Sequence, residues 1–353
     1  MFALTFLLAS LFCPTSCKKE AKEEMHQKIV FAFDTVCAIQ LFTTKNEKET
    51  EPIFEEIFAR LKGLELIFSP TRNESELYKL NMTKVGVPIQ LSRELHYVIK
   101  ENLKIAKLTE GAFNPCMGAL TSLWRQLFNV EENEQAISLP SREELEEALK
   151  LSNYSKIRLD VDLDQSGVST LLKEEPVLID LGASAKGYAT DCIKEIILRN
   201  GIKHAIIDFG GNIFALGKKE NNKAWKIGIK MPIIHNEGRV AGFIEVEDKA
   251  VVTSGNYERF FEKDDKLYHH IISSKTGMPV DNELNAVSII SDSATLADLL
   301  STACFVLGVE KGSILLNEFP HTSAIFFLKN GEVAEINNIN TPFHIVDKSL
   351  RSR

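Results

Sequence analysis

Segments with strand patterns and segments with helix patterns alternate along almost the whole 353-residue chain, and this alternation limits the folds it can adopt. Residues 28–42 are rich in Val, Ile and Phe, as is typical of a strand. Residues 51–67 place apolar side chains at helical spacing and leave a charged outer face. Because no repeat or low-complexity linker follows residue 30, the sequence predicts one mixed α+β body.

The other predicted elements continue this alternation. Apolar runs predict further strands at 156–161, 177–182, 204–211, 225–230, 242–247, 250–255, 267–273, 285–291 and 323–328. Helical spacing predicts helices at 91–108, 130–150, 186–200 and 294–306. Gly201 is expected to end the third of these helices, because glycine readily adopts the left-handed conformation that terminates a helix.

The formal net charge of −8 bears on the partners of the chain. An acidic surface without a basic stripe repels phosphate backbones, so nucleic acid is excluded as an expected partner. If the chain handles an anionic cofactor, it must attract the phosphates with a cation or with local lysines.

The N-terminus carries a pattern typical of export. Residues 1–12 (MFALTFLLASLF) are apolar and too short to span a bilayer permanently, but they fit the core of a secretory signal. Cys17 and the charged residues after it resemble a bacterial lipoprotein signal, although Pro14 stands where leucine is usual. We expect a signal peptide over 1–17, lipidation of Cys17, a charged tether over 18–27, and anchoring at the periplasmic side of the inner membrane. Plain secretion or an inert apolar start is the alternative.

Two segments have side chains suited to phosphate and metal chemistry. Asp298 and Thr302 lie four residues apart, so they share one face of the helix predicted at 294–306. One carboxylate and one hydroxyl suit Mg²⁺, which retains waters and takes phosphate oxygens as ligands. A solvated or capping Asp with a Thr bonded to its own helix explains the same spacing. In the second segment, 179–191, small residues precede Lys186 at a helix start, where phosphate can bind, but an ordinary strand–turn–helix has the same pattern.

Three other segments leave two interpretations open. The paired glycines of 208–217 indicate either close approach of a ligand or a tight turn. His269 and His270 are adjacent in a predicted strand, so they point to opposite faces and at most one can serve a given site. Phe113, beside Asn114 and Pro115, could edge a flat ring or belong to the core.

Taken together and in this order, these segments resemble the ApbE family of FAD:protein FMN transferases, over about residues 28–330. The matching segments are 33–35 (FDT), 74–77 (ESEL), 111–115 (GAFNP), 180–188 (DLGASAKGY), 209–212 (FGGN), 253–259 (TSGNYER), 269–277 (HHIISSKTG) and 297–303 (ADLLSTA). The resemblance implies an α+β fold with mixed, largely antiparallel sheets and interleaved helices, of the T-fold type. It also implies a single catalytic domain over 28–345.

The resemblance further implies which residues form the site. The family's metal ligands correspond to Asp298, Thr302 and the backbone carbonyl of Ala183, with Mg²⁺ as the cofactor. Its contacts to the substrate FAD correspond to Phe33, Thr71, Ala112, Phe113, Asn114, Asp180, Lys186, His270 and Ile272. Asp298, Thr302, Lys186 and His270 are the expected catalytic residues, and either His270 or Asp180 could be the base.

The implied reaction splits FAD at its pyrophosphate, attaches FMN by a phosphoester bond to a Thr or Ser of an acceptor redox protein, and releases AMP. The expected acceptors are membrane redox subunits. Thr71 stands where the family often has a Tyr that would stack on the flavin ring, and Asn114 and Ser273 replace two common aspartates. Loss of the stacking ring could admit water, so an FAD pyrophosphatase giving FMN and AMP is one alternative. A non-catalytic flavin-binding lipoprotein is another.

Overall fold

The computed structural model describes residues 22–129, 138–161, 169–219, 222–234 and 238–353. The helices are α1 Glu47–Phe68, α2 Glu76–Met82, α3 Arg93–Leu108, α4 Gly118–Arg125, α5 Arg142–Lys150, α6 Ala185–Arg199 and α7 Ala294–Leu316. The strands are β1 Glu24–Ala32, β2 Thr35–Thr43, β3 Ile89–Leu91, β4 Ile157–Val161, β5 Ser169–Lys173, β6 His204–Phe209, β7 Asn212–Leu216, β8 Trp225–Lys230, β9 Val240–Val246, β10 Lys249–Gly255, β11 Phe260–Lys263, β12 Lys266–His269, β13 Leu284–Ser291, β14 Ser323–Leu328, β15 Glu332–Ile336, β16 His344–Ile345 and β17 Arg351–Ser352.

A nine-stranded sheet forms the centre of the described fold. Its strand order is β1-β2-β6-β7-β10-β13-β14-β15-β17, and neighbouring strands are antiparallel except for the pair β15 and β17. Smaller sheets have the orders β16-β9-β8, β3-β5-β4 and β11-β12. The predicted α+β class, with largely antiparallel sheets and interleaved helices, is therefore confirmed.

The central sheet is covered differently on its two faces. Helices α1, α3, α6 and α7 enclose the main core on one face, and the sheet of β8, β9 and β16 packs on the other. Val252 and Val251 of β10 point into these two cores respectively, because neighbouring strand residues face opposite sides. The proposed chemistry is concentrated on the helical face, where α6 and α7 lie side by side.

Helix α7 is apolar on nearly all sides because it is a core helix. By length and composition it could cross a membrane. Instead it packs against β10, β13, α3 and α6, and this burial explains its apolar surface. It extends ten residues beyond the predicted end at 306 and bends at Gly308, whose φ of 78° is not helical.

The strand predicted at 28–42 is wrong in detail, because the segment forms a hairpin. Ala32 pairs with Thr35, so Phe33 and Asp34 are the two residues of the turn. Their φ angles of 52° and 55° match the type I′ turn, whose twist suits a hairpin. The sequence does not predict this turn, because Phe-Asp takes the place of the usual Asn-Gly pair.

Two other predicted strands also differ from the structure. The run 177–182 is extended but belongs to no strand; its backbone is held by the side chain of Asn81 and by the loop at Pro115. The strand predicted at 267–273 ends at His269, and Ile272 makes only an isolated bridge to Pro279. His270 therefore lies in a loop, and the expected strand alternation does not apply to it.

The predicted domain limits can be compared with the ordered elements. Strand β1 begins at Glu24, inside the predicted tether, and β17 pairs with β15 after residue 345. The sheet thus extends beyond 28–345 at both ends. Three predicted features lie outside the described residues: the signal peptide, the lipidated Cys17, and residues 130–137 of the helix predicted at 130–150. Its remainder contains α5.

Candidate active site

The site is built where the first turn of α6 meets the first turns of α7. Gly187 allows this close contact, since a Cβ there would collide with the backbone of Ala294 and approach Cβ of Asp298 to 2.8 Å. The amide N–H of Gly187 donates to Oδ2 of Asp298 over 2.9 Å. A glycine at this position therefore brings the backbone of one helix to the carboxylate of the other.

Asp191 fixes the start of α7 against α6. Its carboxylate accepts hydrogen bonds from the hydroxyl of Ser293 at 2.8 Å, the amide of Ala294 at 3.0 Å, and the amide and hydroxyl of Thr295 at 2.9 and 2.7 Å. The N-terminal amides of a helix lack partners within the helix, and a carboxylate also suits the positive end of the helix dipole. Asp191 thus sets the position of the helix that carries Asp298 and Thr302.

Asp298 is a buried carboxylate with little compensation. Only 4% of the residue is exposed. Desolvation raises the pKa of its carboxyl group, while the positive charge of Lys186 and the hydrogen bond from Gly187 act in the opposite direction. A carboxylate in such a position is stabilised by a bound cation.

The atoms near Asp298 that could bind a metal are oxygen atoms. The hydroxyl of Thr302 lies 3.2 Å from the hydroxyl of Ser254 on β10, which in turn lies 2.8 Å from that of Ser301. In the described part of the chain, no cluster of three or more His, Cys, Asp or Glu side chains is arranged to hold a metal. A carboxylate, a hydroxyl and the carbonyl of Ala183 fit Mg²⁺, a hard ion that keeps waters and takes phosphate oxygens.

The loop before α6 is fixed from several sides. The side-chain Nδ2 of Asn102 donates to the hydroxyl of Ser184 over 2.8 Å. Oδ1 of Asp180 accepts from the backbone of Gly182, and Oδ2 accepts from Thr121 at 2.7 Å and from Arg125 at 2.9 Å. With both oxygens engaged, Asp180 is suited to shaping the loop, and His270 is the better candidate for the base.

His270 is linked through Arg259 to the tip of the β1–β2 hairpin. Its backbone N–H donates to the carbonyl of Arg259, and a guanidinium nitrogen of Arg259 donates to the carbonyl of Asp34 at the hairpin tip. Desolvation and the nearby charge of Lys186 lower the pKa of the half-buried His270 ring to about 3. The ring is therefore neutral at physiological pH.

Glu258 is a site residue that the sequence reasoning missed. Its side chain reaches solvent, yet desolvation by the surrounding protein raises its pKa; Lys186 lowers this pKa and Asp298 raises it further. Glu258 therefore lies within electrostatic range of Lys186 and Asp298. Its place in the segment TSGNYER was the available signal, but no role was assigned to it.

The residues expected to contact flavin lie on neighbouring loops. The amide of Phe33 donates to Glu65, which also pairs with Arg72 at 3.5 Å, so α1 links the hairpin tip to the loop of the exposed Thr71. The carbonyl of Ala112 accepts from the hydroxyl of Ser274 at 3.2 Å, next to the segment of His270 and Ile272.

Two of the expected flavin contacts have structural partners of their own. Phe113 is buried in the main core. The side chain of Asn114 donates to the carbonyl of Ser152 and accepts from the amide of Cys116. Their contact with FAD, like that of Ile272, stays a prediction.

The fold and the site together define a class of enzyme, in which an α+β scaffold carries a lysine at a helix start, a buried carboxylate close to hydroxyl groups and a neutral histidine. The ApbE family model matches residues 33–326, and the chain belongs to this family. A relative from Treponema pallidum named FAD:protein FMN transferase is 34% identical, over 93% of this chain and 91% of its own length. A Klebsiella pneumoniae relative of the same name is 31% identical, over 88% and 92%.

Solved structures agree with this assignment. The ApbE protein of Thermotoga maritima superimposes with a TM-score of 0.75 at 33% identity, covering 88% of this chain and 96% of that one. The flavin transferase ApbE of Vibrio cholerae gives a TM-score of 0.74 at 25% identity, covering 92% and 97%. The family predicted from the sequence motifs is therefore confirmed.

Proposed function

We propose that this chain is a magnesium-dependent FAD:protein FMN transferase. The observation that carries the proposal is the buried carboxylate of Asp298, which is bonded to the first turn of the helix that carries Lys186; the charge of Lys186 acts on the pKa of both Asp298 and His270. The near full-length similarity to relatives named for this activity supports it. Asp298, Thr302 and the carbonyl of Ala183 would hold Mg²⁺, which when bound supplies charge neutralisation at the diphosphate.

The residues of the chain suggest how the transfer proceeds. Lys186 binds the diphosphate and orients it. His270 accepts the proton of a Thr or Ser hydroxyl on the acceptor protein, and that oxygen forms a bond to the phosphorus of the FMN half. The bond from this phosphorus to the bridging oxygen breaks, and AMP leaves with the bridging oxygen. The product is FMN joined to the acceptor by a phosphoester bond.

A second candidate, FAD hydrolysis, is favoured by the exposure of Thr71. This residue lies on the loop tied to the hairpin tip, and its small side chain is open to solvent. Water reaching the same phosphorus would give FMN and AMP. No feature of the described site favours binding without catalysis, because a binder has no need of a buried carboxylate beside the diphosphate.

The substitution Thr71→Tyr tests this openness. A ring at this position can cover the flavin and exclude water, so we expect AMP release without acceptor to fall about tenfold. Transfer to an acceptor should fall less. Parallel assays of AMP and of covalently bound flavin measure both rates, and equal changes in the two would contradict the prediction.

The main experiment measures AMP release from FAD by the purified domain with Mg²⁺, with and without a Thr-containing acceptor subunit of a membrane redox complex. AMP only with acceptor, together with covalent flavin on that subunit, supports the transferase. AMP and free FMN without acceptor support the pyrophosphatase. No AMP in either case contradicts both.

We also propose that the chain is exported and anchored by lipid at Cys17 on the periplasmic side of the inner membrane. The support is the apolar leader followed by Cys17 and a charged segment. Such an anchor would hold the enzyme near membrane redox subunits, the proposed acceptors.

A further inference from the structure

The side chain of Asn212, at the start of β7, is buried without a hydrogen-bonding partner. The residue is 2% exposed, and neither Oδ1 nor Nδ2 is bonded to any group of the described chain. The buried Asn102 differs, because its Nδ2 donates to Ser184 and to the carbonyl of Val98. Buried amides are rarely left without any partner, since each unpaired group has lost its hydration. The side chain of Asn212 therefore indicates a hydrogen-bonding partner that is not part of the described chain, such as a bound ligand or water.

Strand geometry places Asn212 on the helical face of the central sheet. Phe214, two residues further along β7, belongs to the main core and lies under the ammonium group of Lys194 on α6, 4.9 Å from it. Residues two apart on a strand share a face, so Asn212 also points toward α6.

The antiparallel return of the chain locates Asn212 below the start of α6. Only residues 200–203 connect α6 to β6, so β6 runs back along the helix and ends at Phe209, which pairs with Asn212. Cys37 pairs with the other side of Phe209. Burial raises the pKa of the Cys37 thiol to about 12, and the charge of Lys186 opposes this rise, so the field of Lys186 reaches this point.

On its other side, Asn212 borders the residues expected to hold the metal. It pairs with Val252 of β10. Ser254 follows two residues later on the same face and contacts the hydroxyl of Thr302. Asn212 therefore lies between the start of α6, with Lys186, and the Ser254–Thr302 pair.

We propose that Asn212 is a further substrate-binding residue, whose Nδ2 donates to an oxygen of the bound FAD diphosphate while its Oδ1 accepts from a water that enters with the ligand. This inference rests on the proposed function. A neutral amide provides a donor and an acceptor without adding charge, which suits a place between an ammonium group and a metal-binding carboxylate.

The variant Asn212→Leu separates a ligand-binding role from a structural one. Leucine has a similar volume and removes the unpaired groups, so the thermal midpoint of the ligand-free protein should stay the same or rise. The Kd for FAD with Mg²⁺ should rise at least tenfold. Riboflavin, which lacks the diphosphate, should bind with less than a twofold change. Thermal unfolding and flavin fluorescence titration on the purified mature chain measure these quantities.

Two further variants keep the test decisive. Asn282→Leu is the matched control, because both Nδ2 and Oδ1 of Asn282 have partners: Nδ2 donates to the carbonyl of Phe305, and Oδ1 accepts from the amide of Leu284. It should lower the thermal midpoint and leave FAD affinity unchanged. Asn212→Asp keeps the shape but opposes the diphosphate with negative charge, and it should weaken FAD binding even if the leucine variant folds poorly.

The outcomes distinguish this inference from the proposed function. A destabilised Asn212→Leu protein with wild-type FAD affinity would mean that the amide holds a structural water, and the proposal would be overturned. Wild-type affinity in Asn212→Asp would overturn it equally. A wild-type chain that binds no FAD in the presence of Mg²⁺ would refute the proposed function itself.

Discussion

At the scale of single residues, the role of a carboxylate depends on which partners the fold provides. Asp180 and Asp298 both follow from the motifs as site residues. Asp180 is paired with Arg125 at 2.9 Å and with Thr121, so its charge is compensated within the protein. Asp298 is more deeply buried and receives one backbone hydrogen bond. The structure thus singles out Asp298 as the carboxylate that benefits from a metal cation.

The dependence on metal can be tested at Asp298. We expect Mg²⁺ to stabilise the wild-type chain and raise its thermal midpoint, because it binds only the folded state. At an Mg²⁺ concentration of 100 times its Kd, the free energy of unfolding should increase by about 2.7 kcal/mol. Asn at position 298 should abolish this shift and reduce AMP release on the order of 100-fold. Calorimetry with Mg²⁺ and with EDTA measures the shift.

Without metal, the Asp298→Asn chain should be at least as stable as the wild type, because an uncompensated buried carboxylate has been removed. Loss of stability in the metal-free variant, or an Mg²⁺ shift equal to that of the wild type, would contradict the assignment of Asp298 as a metal ligand.

The neutral ring of His270 predicts an unusual pH profile. Since its pKa is lowered to about 3, the ring stays unprotonated well below pH 6.5. We therefore expect kcat/KM for AMP release to lack a titration step near pH 6.5, and His270→Gln to lower the rate on the order of 100-fold at all pH values above 5. A step near pH 6.5 that disappears in the variant would contradict the prediction.

The same pKa shift has a consequence for stability. In the unfolded chain His270 takes up a proton near pH 6.5, while the folded chain does so only near pH 3. The unfolded state then binds more protons in this window, so the contribution of His270 to the free energy of unfolding falls as the pH decreases from 6.5 toward 3.

At the scale of elements, the site depends on how closely α6 and α7 pack. Gly187 sets the distance between their backbones, and Asp191 holds the N-terminus of α7 with four hydrogen bonds. Neither residue is proposed to contact substrate. Both determine where Asp298 stands relative to the loop of Ala183.

Substitution of Gly187 tests this contact between helices. Alanine would force the backbone of Ala294 away, so we expect a loss of about 2 kcal/mol in the free energy of unfolding. The Mg²⁺ concentration for half-maximal activity should rise as well. Urea unfolding and Mg²⁺ titration provide the two measurements.

Gly63→Ala is the matched control, because Gly63 lies in α1 and a Cβ there would meet no atom within 4 Å. It should increase stability by up to about 1 kcal/mol, through helix propensity, and leave the Mg²⁺ requirement unchanged. Similar effects of the two substitutions would argue against a special role for the contact at Gly187.

At the scale of the whole molecule, the central sheet brings together segments that are far apart in sequence. The hairpin tip at Asp34 meets Arg259, and the loop at Ala112 meets Ser274. These contacts join the hairpin tip and the loop at Ala112 to residues 259–274, the segment that includes His270. The proposed anchor at Cys17 precedes β1, which belongs to this sheet.

The proposed anchor predicts a change of location without a change of chemistry. In the parent bacterium, Cys17→Ser should move the chain from the membrane fraction to the soluble periplasmic fraction, because the lipid attachment is lost. AMP release by the purified domain should not change. If the unaltered chain were already soluble in the periplasm, plain secretion would be the better interpretation.

The sequence by itself determined the features that depend on local pattern. Helical spacing predicted α1, α3 and α6 within a few residues, ordered motifs predicted the family, and Asp298 and Thr302 lie on one helix as their spacing predicted. Local signals failed where the backbone is shaped by distant partners. The turn at Phe33 and Asp34 and the extended run of 177–182 are of this kind.

Only the tertiary structure decided which polar groups are compensated and which are not. Asp180 and Asp298 were both predicted as site residues, and the structure shows that Arg125 reaches only the first. The environments of Glu258 and of the unpaired Asn212 side chain are set by residues that lie far away in the sequence. The physical reason is that burial and electrostatic compensation depend on the positions of atoms in space, which hydrophobic periodicity along the chain does not encode.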